Sequence, residues 1–250
     1  MASRLRITGV ILIIIGIVSL GAAGYTYVRT QDSADSLQGF SEAQDVSLSY
    51  NGDGQLIDRG TTEGAEGILT LLDDTWRWPI VDGELDPNDP LVNTATEYMY
   101  QMATIAYHTL HGEQTVVLDE TVEYDGDGDG EIADDAPAYF GGEWDPSTSG
   151  EDAVFNAGTY TVPVNERYWT QFNRTHPLDG PAREQTWSGT VHGLFAELGV
   201  GAVTASLAQV GLGIALVVLL MGLGFGATGV LLIWVAGAAK KKEEEAPAAS

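Results

Sequence analysis

The sequence predicts a mixed α+β domain lying outside the cytoplasm between two transmembrane helices. Three observations carry that prediction: a charge-free apolar run near each end, a carboxylate-rich middle, and helical and alternating apolar periods within that middle. Residues 7–28 read ITGVILIIIGIVSLGAAGYTYV, 22 residues without a charge, enough to cross about 30 Å of hydrocarbon. Residues 1–6 precede it with Arg4 and Arg6, which the positive-inside tendency places in the cytoplasm. A cleaved signal peptide is the alternative, since a basic start, an apolar run and the small residues Gly21, Ala22 and Ala23 also fit that plan. Tyr25 and Tyr27 favour an uncleaved anchor, because tyrosines collect at membrane interfaces.

Residues 29–45 are polar and read as a tether, and the acidic domain is expected over 46–196. VSLSY, NGDG and QLIDRG give a hairpin signal around a Gly/Asp turn. Thr61 or Thr62 starts a helix over residues 65–76, with Ile68, Leu69, Leu71, Leu72 and Trp76 on its apolar side, and WRWP stops it. The clearest helix is expected after Asp89 as N-cap, with Pro90 in its first position and Gly112 just past its end. Along it Leu91, Ala95, Tyr98, Met99, Met102, Ile105, Ala106 and Leu110 recur at three- and four-residue intervals. QTVVL, ETVEY and GTYTVPV then read as strands and VNERYWTQF as a short helix.

A helix over residues 182–210 leads toward the membrane, with 197–211 as its approach. Residues 198–239 are charge-free, too long for one span and barely enough for two with a turn. Lys240, Lys241 and Lys242 decide between them. With both basic ends in the cytoplasm the chain crosses once here, at residues 212–235, and residues 236–250 are a cytoplasmic tail.

Between residues 29 and 207 lie 33 of the 36 acidic residues, six arginines and no lysine. Such a field repels nucleic acid and anionic headgroups, so nucleic-acid binding is excluded. The Asp/Glu excess without lysine resembles the proteins of extreme halophiles; the resemblance implies a haloarchaeal source, where multi-molar salt shortens the screening length to about 3 Å or less. Five tryptophans and periodic apolar runs in the same segment argue for a fold rather than disorder. Cysteine is absent, which removes disulfides, thiol chemistry and cysteine metal ligands.

The stretch EYDGDGDGEIADD, residues 123–135, places Asp125, Asp127 and Asp129 at alternate positions, followed by Gly130 and the apolar Ile132. It resembles the first half of an EF-hand loop, in which alternate carboxylates converge on one hard cation. The resemblance implies Ca2+, with Glu131, Asp134 and Asp135 as further candidate ligands. Position twelve, where that loop carries a bidentate Glu, is Ala136, and no flanking helix pair is expected. A solvated acidic turn is the alternative.

In the second span Gly211, Ala215, Gly222, Gly226 and Gly229 fall within an arc of about 60° at helical spacing, and in the first Gly9, Gly16 and Ala23 repeat every seven residues. Such faces let helices approach closely in lipid, either the two spans of one chain or a span and a partner, although Gly and Ala are also common in any transmembrane helix. GFGATG, residues 224–229, is a formal dinucleotide fingerprint in the wrong setting, inside a bilayer.

His108 and His111 have spacing suited to sharing a metal, without a clear third ligand; a histidine near a helix C-terminus also simply favours the dipole. Asn173-Arg174-Thr175 is a glycosylation acceptor pattern. Neither GxSxG, Ser-x-x-Lys nor a P-loop occurs. The expected function is therefore non-enzymatic: a membrane-anchored cell-surface protein, an accessory subunit or envelope component. Its expected partners are the lipid bilayer and either a membrane or surface protein or further copies of itself. A calcium-stabilised surface binding module and an extracytoplasmic carboxylate hydrolase are the alternatives.

Overall fold

The computed structural model describes residues 2–245 and divides into a helical unit and a domain, the domain comprising Val46–Ala202. Residues 246–250 of the expected tail lie outside the described residues. The helical unit consists of α1 (Ala2–Gln44) and the larger part of the last helix, α5 (Gly189–Glu245). Both are long and apolar enough to span a membrane, and their most apolar windows are only 17% and 11% buried, unlike the core helix of a soluble domain. α5 runs through residues 198–239 without a turn, as one crossing requires. α1 also continues through residues 29–45, so the expected tether is helical almost to its end. Arg29 to Asp32 (3.2 Å) and Gln38 to Glu42 (3.1 Å) support it with side-chain pairs one turn apart.

The two helices pack antiparallel through their glycines. A Cβ on Gly9 would stand 2.7 Å from the Gly229 carbonyl, and one on Gly16 would stand 2.8 Å from both the Gly222 carbonyl and the Gly226 amide. Toward the other end Gly211 faces Thr30. Rising numbers in α1 thus meet falling numbers in α5, and Arg4 and Arg6 share one end of the pair with Lys240 and Lys241.

In the domain, Thr61 caps α2 (Thr62–Thr70) by accepting from the Gly64 amide. The expected helix to Trp76 changes form on the way: Leu71–Thr75 is a π-helical turn, and Arg77 ends it at φ 54°. The long helix, α3 (Ala95–Thr109), starts later than Asp89 and Pro90 suggest. Asp89 closes a turn onto Asp86, and the chain on either side of Leu91 is extended, with Leu48 donating to the Pro90 carbonyl (2.8 Å) and Val92 to that of Val46 (2.9 Å). The helix begins instead at a capping box, in which Thr94 accepts from the Glu97 amide and the Glu97 carboxylate accepts from the Thr94 amide. Gly112 lies just past the end at φ 124°, as expected. The hairpin signalled over residues 46–60 forms in short form: Asn51 donates to the Gln55 carbonyl (2.9 Å) and Ile57 to that of Ser49 (2.9 Å), on either side of the antiparallel Tyr50–Leu56 bridge.

Two three-stranded sheets follow. β1 (Glu113–Leu118) pairs antiparallel with β6 (Gly158–Pro163), and β6 pairs in parallel with β4 (Gly142–Glu143). β2 (Val122–Tyr124) pairs antiparallel with β5 (Ala153–Phe155), and β5 pairs in parallel with β3 (Ala138–Tyr139). The chain passes between sheets at Gly141, where φ is 85° and a Cβ would stand 2.8 Å from the Thr159 carbonyl; only glycine fits both conditions. The sheets and α4 (Asp179–Thr186) enclose Trp144, Phe155, Tyr160, Val162 and Leu178. VNERYWTQF contains only a 3-10 turn, Trp169–Gln171. Its first residues extend the β1–β6 pairing, Val164 donating to Gly112 and Glu166 to Leu110, which forbids helix there. The helix expected over 182–210 is likewise interrupted at Trp187, whose indole donates to the Arg167 carbonyl (3.0 Å).

Gly16→Val is expected to lower the thermal stability of the detergent-solubilised helical pair by about 1–3 kcal/mol, the usual cost of overpacking. Gly21→Val, at a glycine with nothing within 4 Å, should leave it unchanged when unfolding is followed by heating.

Candidate functional site

Antiparallel register builds the acidic site. In the β2–β5 pair Tyr124 stands opposite Ala153, so one step further Asp125 stands opposite Asp152 and Gly126 opposite Glu151. A Cβ on Gly126 would collide with the Glu151 backbone, so glycine is what lets the strands stay this close. Asp125, Asp127 and Asp152 each bring a carboxylate oxygen within 4.8 Å of the others. Like charges opposite one another on a ladder are unfavourable unless something offsets them.

Backbone amides supply part of that offset. Asp125 accepts from Gly128 (2.6 Å) and Gly130 (2.8 Å), and Asp152 accepts from Gly126 (2.8 Å) and Ala133 (2.9 Å). Gly128 and Gly130 adopt φ of 77° and 92°, which turns their amides inward at no steric cost. The amides of Ala133 and Gly126 hold the Asp152 carboxyl below the usual carboxylate range. Each carboxylate oxygen has a second lone pair, so an all-oxygen set for a hard cation such as Ca2+ is compatible with these bonds.

Asp125 and Asp127 come together, whereas Asp129, Glu131, Asp134 and Asp135 are not in the triad. Asp129 instead donates its amide to Asp127 (3.1 Å) and accepts from Glu131 (2.9 Å). The third carboxylate comes from Asp152, which loop spacing could not reveal, because strand pairing supplies it. The loop joins strands, with no flanking helix pair of the EF-hand kind among the described residues.

Asn173 pins the base of this loop. Its side-chain amide donates to the Tyr124 hydroxyl (2.7 Å) and the Ser149 carbonyl (2.9 Å), so a glycan on that nitrogen would displace part of the fold's own bonding. Beside it Asp179, fully buried, accepts from Arg167 (2.7 Å) and the Asn173 amide (2.6 Å). His176 is buried against Trp144, with ring centroids 4.3 Å apart, and its Nδ1 accepts from the amides of Leu178 and Asp179. The signal in the sequence for this arrangement is the His-Pro-Leu-Asp context of a local turn. His108 pairs with Asp58 (3.0 Å) and His111 bonds the Tyr107 carbonyl, so the two are engaged separately.

The small-residue positions Gly9, Gly16, Gly211, Gly222, Gly226 and Gly229 meet across the α1–α5 pair, and Ala215 is buried within it. Within this chain the small faces of the two helices thus meet each other.

Burial, and then the charge of Arg167, lower the His176 pKa from 6.5 to about 4. Protonation at Nδ1 would also break two amide bonds. The unfolded chain thus takes up a proton that the fold refuses: the stabilisation is complete above about pH 6.5 and lost as pH falls toward 4, by about 3 kcal/mol. His176→Asn, which keeps an acceptor but does not titrate, should flatten this part of the stability–pH curve measured by thermal unfolding. No protein-family model, curated protein or solved structure matches the chain.

Proposed function

We propose that the protein is a non-enzymatic, membrane-anchored cell-surface component of a halophile, an accessory subunit or envelope protein whose acidic domain works through protein contacts. Segregation of charge along the fold carries this reading. Two helices fit to span a membrane bracket a domain with 29 carboxylates and five arginines, while Arg4, Arg6, Lys240 and Lys241 gather at one end of the helical pair. With that end in the cytoplasm, both termini are inside and the domain is outside. The glycine seams are already engaged within the chain, so contacts with a partner fall to the domain, or to outward helix faces where Gly24, Gly213 and Gly224 meet nothing within 4 Å. An acidic surface suits a partner presenting basic groups.

Purification of the full chain from its host in mild detergent at high salt, followed by native mass measurement, tests the reading. A stoichiometric second protein or a homo-oligomer is expected; a lone monomer would overturn it.

A calcium-stabilised binding module is the second reading, favoured by the arrival of Asp152 beside Asp125 and Asp127. Three clustered carboxylates suit Ca2+ better than metals that prefer nitrogen or sulfur, with remaining positions left to water or carbonyls. Calcium at tenfold excess over its Kd is expected to stabilise the domain by about 1–2 kcal/mol, and Asp152→Asn to abolish the shift. No calcium-dependent change in the wild-type unfolding curve would leave the loop a solvated acidic turn.

A further inference from the structure

A cleft of about 500 Å³ opens within the domain between α2 with its π-helical turn, α3, and the segment after β6. That is a volume typical of small-molecule sites. Its polar lining comprises Thr70, Thr75, Tyr107, His111, Glu166 and Tyr168, over an apolar floor that includes Leu71 and Leu110. We infer that this cleft binds a small neutral polyhydroxy ligand of monosaccharide size, an inference that does not depend on the partner reading above.

The backbone at the rim is irregular in two independent places. Leu71 and Thr75 begin and end the π-helical turn, and Glu166 holds φ of 59°, a left-handed conformation unfavourable for its side chain. Both kinds of irregularity gather at functional sites, where the surroundings hold them in place. Glu166 is held by its amide bond to the Leu110 carbonyl (2.8 Å), and its neighbour Asn165 accepts from Gly112 (2.7 Å). Tyr107 is pressed onto α2 so closely that a Cβ on Gly67 would stand 2.8 Å from its ring. The walls are therefore fixed before any ligand arrives, which limits the ordering cost of binding.

Hydrogen-bonding capacity selects the ligand. The Tyr168 hydroxyl accepts from the Trp76 indole (3.0 Å) and keeps its own proton to donate. His111 Nδ1 donates to the Tyr107 carbonyl (2.6 Å), which leaves its Nε2 as the ring atom available to a ligand. Glu166 only accepts. Among the described residues the lining holds no arginine or lysine, so a phosphate or carboxylate would meet Glu166 without compensation. An ammonium only donates and would leave the donors of Thr70, Thr75, Tyr107 and Tyr168 unmatched. A sugar ring offers hydroxyls that donate and accept, together with C–H faces for the tyrosine rings and leucines.

The test is saturation-transfer NMR on the full chain at high salt, in a detergent without a sugar headgroup, using D-glucose, D-galactose, D-mannose and N-acetyl-D-glucosamine in turn and tetramethylammonium for comparison. Transfer to the ring protons of at least one sugar is expected, with affinity about tenfold weaker in Glu166→Gln and also reduced in Tyr168→Phe. Unchanged unfolding temperatures would show that the variants fold, and Thr75→Val, at an exposed position, provides a third probe should either fail to. Absence of transfer from all four sugars, transfer unaffected by the substitutions, or transfer to tetramethylammonium alone would each overturn the inference.

Discussion

Carboxylates without enough cations are the constraint on which the domain is built. With 29 acidic residues and five arginines, charge pairing cannot satisfy the surface, and the geometry of the turns shows what replaces it. Asp86 accepts from Asn88, Asp127 from Asp129, Asp129 from Glu131, and Asp145 from Ser147, each a carboxylate bonded to an amide two residues on. These local bonds lower the Asp86 and Asp145 pKa values, so the charged form is the one the turn prefers. Acidity and turn formation are therefore the same chemistry here: aspartate supplies both the charge and the bond that closes the loop.

The arginines are spent where that solution fails, which is in the interior. Asp179 is buried and has no solvent to share its charge, so Arg167 meets it while also donating to the Pro163 and Gln171 carbonyls and lying over the Phe172 ring. Arg183, mostly buried, covers Trp169 and pairs with Glu184. Both arginines thus organise the segment that carries His176 and Asn173, and through Asn173 the start of the acidic loop. A change at the buried cluster would reach the loop through the Asn173 bonds to Tyr124 and Ser149.

The parts of the fold legible in the sequence are those set by long periodicity. The apolar runs gave both long helices, and the seven-residue spacing of Gly9, Gly16 and Ala23 marked the face that meets α5, because a helix interface samples the same positions every two turns. β1, β2 and β6 were also legible from alternation. The start of α3 was not, because the Asp89-Pro90 signal and the Thr94-x-x-Glu97 capping box compete. Pairing of residues 90–92 with 46–48, a contact from a distant stretch of chain, decides in favour of the second. β3, β4 and β5 are two or three residues long, too short for any period to register. Asp152 escaped for a related reason: the EF-hand resemblance searches downstream at fixed spacing, whereas this site is closed across a strand pair whose register cannot be read from either strand alone.

Distance separates the two kinds of repulsion that such a domain must manage. Molar salt shortens the screening length to about 3 Å, so charges spread over the surface cease to oppose folding. Asp125, Asp127 and Asp152 lie within 4.8 Å of one another, part of their repulsion passing through partly buried space where mobile ions screen poorly. Salt of that strength would answer the long-range problem and leave the local one to directed contacts. The four amides bonded to Asp125 and Asp152 are such contacts, but each carries a partial charge and together they fall short of three negative charges. A divalent cation on the remaining lone pairs would close that gap, and it is the approach of Asp152 across the strand pair, rather than the acidity of the loop, that sets this cluster apart among the described residues.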